Sequence, residues 1–308
     1  MAATPFMRLP SIKPPLASQM QIGVLSKNRE FWATTEIMKA IQGKHAEPTY
    51  VKTPEIHLVL DTAADAIYEK KSLSGLDAVV PRIGRSLTQL GVMLLKQFEL
   101  MKVPSTLSIQ GLTTARNKYL TLQTLHASGV RIPESVLIAS RNKTEEPTEY
   151  LSPPLVMKLL SGTQGVGVMR VRDVREAGPI IDTLSELDQM ICLQKFLPNP
   201  GEDVRVFLVG GQLVAAMKRK AAPNEWRSNI HMGGIGISHK PTPQETEAAI
   251  KAAEAIDVEI AGVDLITVDN HPYVIEVNAS PGFRGLLSAT GINAANSIAD
   301  YALSKAKH

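Results

Sequence analysis

Leu155-Val156-Met157-Lys158-Leu159-Leu160 runs through Ser161 into Gly162-Thr163-Gln164-Gly165-Val166-Gly167 and on to Val168-Met169-Arg170-Val171. Two apolar runs of strand length flank a loop that holds three glycines, and the first run carries one charge in its middle. A charge inside a buried strand is costly unless something pairs with it. Lys158 therefore sits on the exposed edge of a sheet or faces an anion. Glycines let backbone N–H groups approach a phosphate closely, which favours the second reading, with Gly162, Gly165 and Gly167 forming a flap over the anion. A GxxxxGK loop is absent and a strand follows in place of a helix, so this is not a Walker A motif. The tip of a β-hairpin is expected.

Working outward, strands and helices alternate. Gln21–Leu25 reads as a buried strand and Thr34–Gln42 as a helix ended near Gly43. Residues 46–60 are extended. Asp77–Arg82 is a short strand that stops at Pro81 and delivers Arg82 to a loop. Thr113 or Thr114 is expected to cap a helix running to Ser128 and carrying Lys118. After a strand near Val136–Ala139, Arg141–Ser152 reads as a polar loop or short helix. Asp182–Gln189 suits a helix and Met190–Gln194 a strand. Val204–Val209 and Gln212–Met217 join at Gly210-Gly211, a hairpin signal. Thr242-Pro243-Gln244-Glu245 is a capping box opening a helix to about Asp257. Ile260–Val268 and Tyr273–Asn278 are strands across a turn at Asp269–Pro272, and Ile292–Lys305 is a tail helix. Alternating units imply a partly parallel sheet, and no GxGxxG follows the first strand.

Composition bounds the function classes. At roughly 150 residues per domain, 308 residues suggest about two domains. Apolar residues at 44% suit a globular chain, and a net charge of +3 is too small for a nucleic-acid coat. The single cysteine, Cys192, excludes a disulfide framework and a multi-Cys zinc site, and it reads as buried packing. No run of 18 apolar residues suggests a membrane span, so a cytoplasmic location is expected. Residues 1–19 carry four prolines and no acid, and read as a disordered extension.

Asp264, Glu276 and Asn278 form a second constellation. Glu276 and Asn278 share a strand face, and a turn centred on Asn270 would put Asp264 opposite Glu276. Such oxygen donors suit Mg²⁺ with substrate phosphates; a solvated polar sheet face is the alternative. Arg227-Ser228-Asn229, with His231 beyond, forms a loop whose arginine fork fits carboxylate or phosphate. His231 reads as a hydrogen-bonding residue. The basic run Lys218, Arg219, Lys220 is a substrate patch or a solvated face. Arg82 and Arg205 are further cations for an acidic substrate.

Taken together, Lys158 with the glycine loop, Gln194-Lys195-Phe196-Leu197, Asp203-Val204-Arg205, Arg227-Ser228-Asn229 with His231, Gly262-Val263-Asp264 and Glu276–Gly282 resemble the ATP-grasp superfamily. Within it they resemble RimK-type α-L-glutamate ligases, and Pro81–Gly84 with Ala115–Lys118 extend the likeness over residues 20–300. The resemblance implies a mixed α+β and α/β chain, an ATP-grasp fold behind an N-terminal Rossmann-like pre-ATP-grasp domain. Residues 20–112 would be that domain, 113–196 the central subdomain with the flap, and 197–308 the C-terminal subdomain with the metal site. Lys118 and Lys158 would hold ATP phosphates, and residues 194–197 would form the adenine hinge. Asp203 would contact the nucleotide. Arg227, Ser228 and Asn229 would face the transferred phosphate, with Arg227 and Lys158 catalytic. Asp264, Glu276 and Asn278 would ligate two Mg²⁺ or Mn²⁺ ions. The implied partners are L-glutamate and an acidic C-terminal acceptor, a small-subunit ribosomal protein in the family, with a homotetrameric assembly. Lys195 replaces the usual Glu and Asn117 the common Asp, which bears on nucleotide affinity. Two other readings remain: a ligase of this fold with a small-molecule or different peptide acceptor, and a non-catalytic nucleotide-binding regulator.

Overall fold

The computed structural model describes residues 19–139, 150–160, 167–198, 201–223, 225–228 and 233–306. Gly162 and Gly165 of the expected flap, Asn229, His231 and most of the polar stretch 141–152 lie outside the described residues.

The chain opens with β1 (Gln21–Ser26), α1 (Trp32–Gly43) and β2 (Glu47–Lys52). A small antiparallel sheet follows, made of β3 (His57–Leu60), β4 (Ala64–Tyr68) and β5 (Lys71–Ser72). Next, β6 (Ala78–Arg82) returns to β1, which lies between β2 and β6 and parallel to both. Ile22, Val24 and Leu25 are fully buried, the continuous burial of a parallel strand covered on two faces. Pro81 does not stop β6, because β6 is an edge strand and can lose a donor. Arg82 accordingly ends the strand, in register with Ser26.

After α2 (Thr88–Leu100), the single helix expected from Thr113 is two. α3 (Ile109–Arg116) is capped by Ser108, whose Oγ accepts from Gly111 N at 2.8 Å. α4 (Lys118–Ala127) is capped by Asn117, whose Oδ1 accepts from Tyr119 N and Leu120 N at 3.1 and 3.0 Å. A short polar side chain that bonds its own backbone favours a cap over a helix interior. The break sets Arg116 and Lys118 side by side, and Asn117 caps here as an Asp would.

The central sheet contains β7 (Ser135–Ile138), β8 (Leu155–Leu159), β9 (Val168–Val171) and β10 (Ile191–Lys195) in the order β7-β10-β8-β9. Its helix, α5 (Val174–Glu186), starts well before the expected Asp182. Asp173 caps it, and the apolar stripe of Ala177, Ile180, Ile181 and Leu184 carries the helix through Pro179.

The last part is a five-stranded antiparallel sheet of β11 (Glu202–Val209), β12 (Gln212–Lys220), β13 (Ile235–His239), β14 (Ile260–Val268) and β15 (His271–Asn278). Its order is β13-β12-β11-β14-β15, and α6 (Pro243–Ala255), α7 (Arg284–Thr290) and α8 (Ala295–Lys305) complete the chain. Both hairpins turn through residues with positive φ, Gly210-Gly211 (+57°, +75°) and Asp269-Asn270 (+49°, +64°), as a type I′ turn demands. The sheet is covered on two faces. On one, Val206, Leu208 and Val263 pack with Ala249 and Ala253 of α6. On the other, Phe207 and Phe283 pack with Ile298 of α8 and with Ile22 and Ile37 of the N-terminal sheet and helix.

Candidate active site

A cleft opens between the central and C-terminal sheets. It is lined by Leu122 and Val156, by the aromatic pair Phe196 and Trp226, and by Lys118, Lys158, Glu276 and Cys192, which are close enough for their charges to act on one another. Lys158 stands on β8, between β10 and β9 and opposite Cys192, so it is not at a sheet edge. Burial pushes its ammonium below the ordinary lysine pKa, against the pull of Cys192, Glu276 and Asp264. Lys118 donates from Nζ to Leu159 O at 2.9 Å. Burial lowers its pKa to about 8, with Glu276 acting the other way and Arg85 and Lys158 adding to the fall. Two desolvated ammonium groups lining one cleft are a place for an anion. Gly167 (φ +75°) brings the returning strand against Leu159, and its N-terminal neighbours in the loop lie outside the described residues.

The aromatic part of the lining is built by packing. Gln194 is 2% exposed, and its Nε2 donates to Ser135 Oγ at 2.9 Å. That hydroxyl donates onward to Pro133 O at 2.8 Å. Lys195 points outward and pairs with Glu134 at 3.1 Å. Phe196 lies 6.2 Å from Trp226, and the Arg170 guanidinium covers its ring at 4.2 Å. Trp226 and Arg170 were not singled out from the sequence. An aromatic two positions before Ser228 in a loop was the available signal.

Asp203, which lines the cleft, and Asp264 are both held by arginines. Arg219 holds Asp203 with Nε and Nη2 at 2.6 and 2.5 Å, and Ser228 Oγ adds a bond at 2.6 Å. Arg205 holds Asp264 through both oxygens at 2.6 Å, and Arg219 reaches Asp264 at 3.0 Å. The result is one buried chain, Arg205–Asp264–Arg219–Asp203–Ser228. Asp264 is 1% exposed and Asp203 5%. A carboxylate so buried needs charged partners to remain ionised. Burial pushes the Asp264 carboxyl up, yet Arg205 and Arg219 outweigh it and hold its pKa below the ordinary value. Arg205, expected to meet substrate, is engaged inside this chain. Strand alternation divides the basic run: Arg219 faces inward, whereas Lys218 and Lys220 pair with Glu202 at 3.3 and 2.8 Å.

Asp264 does oppose Glu276, by a route the simple turn does not give. From Asp269-Asn270 the register runs Leu265 to Val274, then a bulge shifts it so that Asp264 faces Glu276. Glu276 makes no hydrogen bond or ion pair to any described residue, and Asn278 Nδ2 donates to Gly262 O at 3.4 Å, leaving Oδ1. Among the described residues, no three His, Cys, Asp or Glu side chains cluster as a metal site. Glu276 and Asn278 nevertheless present hard oxygen donors beside two lysines, which fits Mg²⁺ shared with phosphate oxygens. Asp264 would join them only by exchanging an arginine.

Arg227 lies at the rim, bonded to Glu225 at 2.8 Å, and its guanidinium takes the Glu225 carboxyl down to about 2. Arg82 donates from Nη2 to Pro281 O at 2.7 Å and to Ser280 O at 3.4 Å. Arg116 bonds Ile83 O, and Arg85 donates to Leu160 O at 2.8 Å.

Comparison with known proteins adds to this geometry. A family model described as a RimK-like ATP-grasp domain matches residues 115–302, and one described as a RimK PreATP-grasp domain matches residues 20–112. A probable alpha-L-glutamate ligase of Thioalkalivibrio sulfidiphilus is 38% identical over 285 residues, covering 92% of this chain and 95% of the relative. One of Azotobacter vinelandii is 35% identical over 292 residues, 94% and 97% of the two chains. Among solved structures, the ATP-grasp ligase PsnB complexed with minimal precursor superposes with TM-score 0.75 at 16% identity, covering 93% of this chain and 99% of that one. A D-alanine–D-alanine ligase from Bacillus anthracis complexed with ATP gives 0.69 at 19%, covering 93% and 97%.

Proposed function

Since the chain belongs to the RimK-like ATP-grasp family and is thereby an ATP-dependent ligase, we propose that it joins L-glutamate to the C-terminal carboxylate of an acidic peptide or protein. The observation that carries this reading is the cationic part of the cleft lining. Lys118 and Lys158 stand beside Glu276, whose carboxylate has no partner among the described residues.

The chemistry the residues serve is carboxylate activation. An acceptor carboxylate oxygen attacks the γ-phosphorus of ATP, ADP leaves, and an acylphosphate forms. The amino nitrogen of glutamate then attacks the acyl carbon, loses a proton, and expels phosphate. Phosphoryl transfer asks for positioning and charge neutralisation more than covalent help. Lys118 and Lys158 supply fixed positive charge in a poorly solvated place, where such groups act strongly on developing charge. The hinge binds and orients. Because Gln194 donates its amide hydrogen to Ser135, its Oε1 remains an acceptor for an exocyclic amine such as that of adenine. Phe196 and Trp226 give the base an apolar seat. Arg227 stands at the rim, where its fork can leave Glu225 for a phosphate oxygen. Glu276 and Asn278 would hold Mg²⁺ or Mn²⁺, which when bound neutralises phosphate charge.

The test is direct. ADP release is measured with ATP, Mg²⁺ and L-glutamate, with and without a peptide ending in glutamate, and the products are read by mass spectrometry. Glutamate-dependent release with a peptide lengthened by glutamyl residues is expected. Release with other amines and none with glutamate would sink the reading.

A further inference from the structure

Three arginines converge where the N-terminal sheet meets the rest of the molecule. Arg82 ends β6, Arg85 lies in the turn after it, and Arg116 ends α3. They are close enough to disfavour one another's charge: Arg116 lowers Arg82, and Arg85 lowers Arg116, in each case after burial itself. Such crowding of like charge is unfavourable unless an anion enters. The partners seen for Arg82 and Arg116 are main-chain carbonyls, of Ser280, Pro281 and Ile83, and neither guanidinium forms an ion pair with a described carboxylate. Among the described residues, Glu276 is the acidic side chain whose charge acts on Arg116. Among the described residues, Arg116 Nε and Ser280 Oγ are buried here without a hydrogen-bond partner, as Thr53 Oγ1 and Thr106 Oγ1 are elsewhere in the chain. Buried donors of this kind usually have a partner, so an orphan among cations points to a missing ligand.

We propose that Arg82 and Arg116, with Arg85 at the rim, form a subsite for a carboxylate of the acidic substrate that is not the one being activated. Arg116 thereby takes the place that the sequence suggests for Arg205, whose guanidinium is engaged by Asp264. The carbonyl bonds from Ser280, Pro281 and Ile83 hold the two forks in fixed orientation, and planar forks suit bidentate carboxylate recognition. The site lies within reach of the charge of Glu276, a cleft-lining residue with no hydrogen-bond or ion-pair partner among the described residues. An acidic molecule lodged there would have its other end near the phosphates. The ligand class is a carboxylate on a short flexible spacer, carried by free glutamate or by a glutamate-terminated chain.

This inference rests on the ligase reading, and the test separates the two. Calorimetric titrations are run in AMP-PNP and Mg²⁺ with L-glutamate, a glutamate-terminated peptide, glutarate, and the amides of all three. Wild-type protein is compared with Arg116→Gln and Arg116→Lys. Expected is binding of at least one acid but not its amide, weakened about tenfold or more by Arg116→Gln. Arg116→Lys should recover part of it, with AMP-PNP affinity unchanged in both variants. Glutamate affected by Arg116 assigns the site to the incoming amino acid, and peptide alone assigns it to the acceptor. Glutarate alone keeps the subsite and overturns the glutamate reading. Wild-type ligation with acid affinity unchanged in Arg116→Gln, or AMP-PNP affinity falling in parallel, overturns the subsite and leaves the ligase reading standing. Binding of no acid by wild type overturns the subsite as well. Should Arg116→Gln melt early, Arg82→Lys read against the same ligands decides in its place.

Discussion

Lys118 is held where water cannot fully solvate its charge, and its pKa of about 8 puts that cost within reach of an ordinary titration. A polyanion bound beside it favours the ammonium form, so nucleotide binding takes up a proton once the free side chain has begun to lose it. Affinity for ATP is therefore expected to be level below about pH 8 and to fall as pH rises above it. Calorimetry at pH ~8.5 in buffers of different ionisation enthalpy should show this proton uptake in wild type and its absence in Lys118→Met. The stability effect has the opposite sense. The unfolded chain binds the extra proton between about 8 and the ordinary value of 10.5, so the burden of burying the charge is full below pH 8 and lifts across that window. Glu276→Ala removes a carboxylate with no described partner. The variant should stay folded, as a cooperative melt would show, and lose turnover by at least about tenfold, ~1.4 kcal/mol of barrier; Mn²⁺ binding read by electron paramagnetic resonance should weaken with it. Much of this site is legible from residue type alone: a lysine inside an apolar strand and a Glu-x-Asn pair on one face. What the sequence hides is pairing. Nothing in the spelling of Asp203, Arg205, Arg219 and Asp264 says that they neutralise one another, because the ladder contacts arise only when β11, β12 and β14 lie side by side.

Elements are recovered from sequence where a local rule is strict and missed where two rules compete. The capping box at Thr242–Glu245 is present as read, with Glu245 also accepting from Thr242 N. The helix expected from Thr113 is divided in two: helical periodicity runs straight through Asn117, while the cap that breaks it depends on one side chain. The β14–β15 bulge is invisible to alternation, and yet it decides which residue faces Glu276. Close packing between elements is likewise unwritten. A Cβ built on Gly111 of α3 would stand 2.1 Å from Asp257 O, the main chain just past α6. Backbone cannot yield as a flexible side chain does. Gly111→Ala should therefore destabilise by about 1–3 kcal/mol despite the better helix propensity of alanine. Urea denaturation checks this: a midpoint at or above that of wild type would mean that α3 and α6 do not approach so closely. Since α3 carries Arg116, the same variant should also weaken acidic-substrate binding before it weakens nucleotide binding.

At the scale of the whole molecule, the segments that sequence divides at residue 112 share one interior. The fully buried Phe283 ring lies tilted 5.0 Å from Trp32 on α1 and edge-to-face 6.0 Å from Phe207 on β11. Phe283→Ala should cost about 3–5 kcal/mol. Hydrogen exchange should quicken at Ile22–Leu25 of β1 as well as along β11, because the lost ring belongs to both; quickening confined to β11 would show two independent cores. The central sheet around Leu155, Met157 and Ile191 has its own apolar cluster, separate from the two that join the N-terminal and C-terminal sheets. That sheet carries Cys192, the chain's single thiol, fully buried in the cleft lining and raised to about 11 by burial despite the two lysines nearby. Such a thiol is almost inert while the walls stay closed. Each thiol–disulfide exchange event then timestamps one excursion of the cleft, and nucleotide that keeps the walls together would slow the clock. An unlabelled, unmutated protein thus carries its own stopwatch for breathing, readable with a colorimetric disulfide reagent and a spectrophotometer.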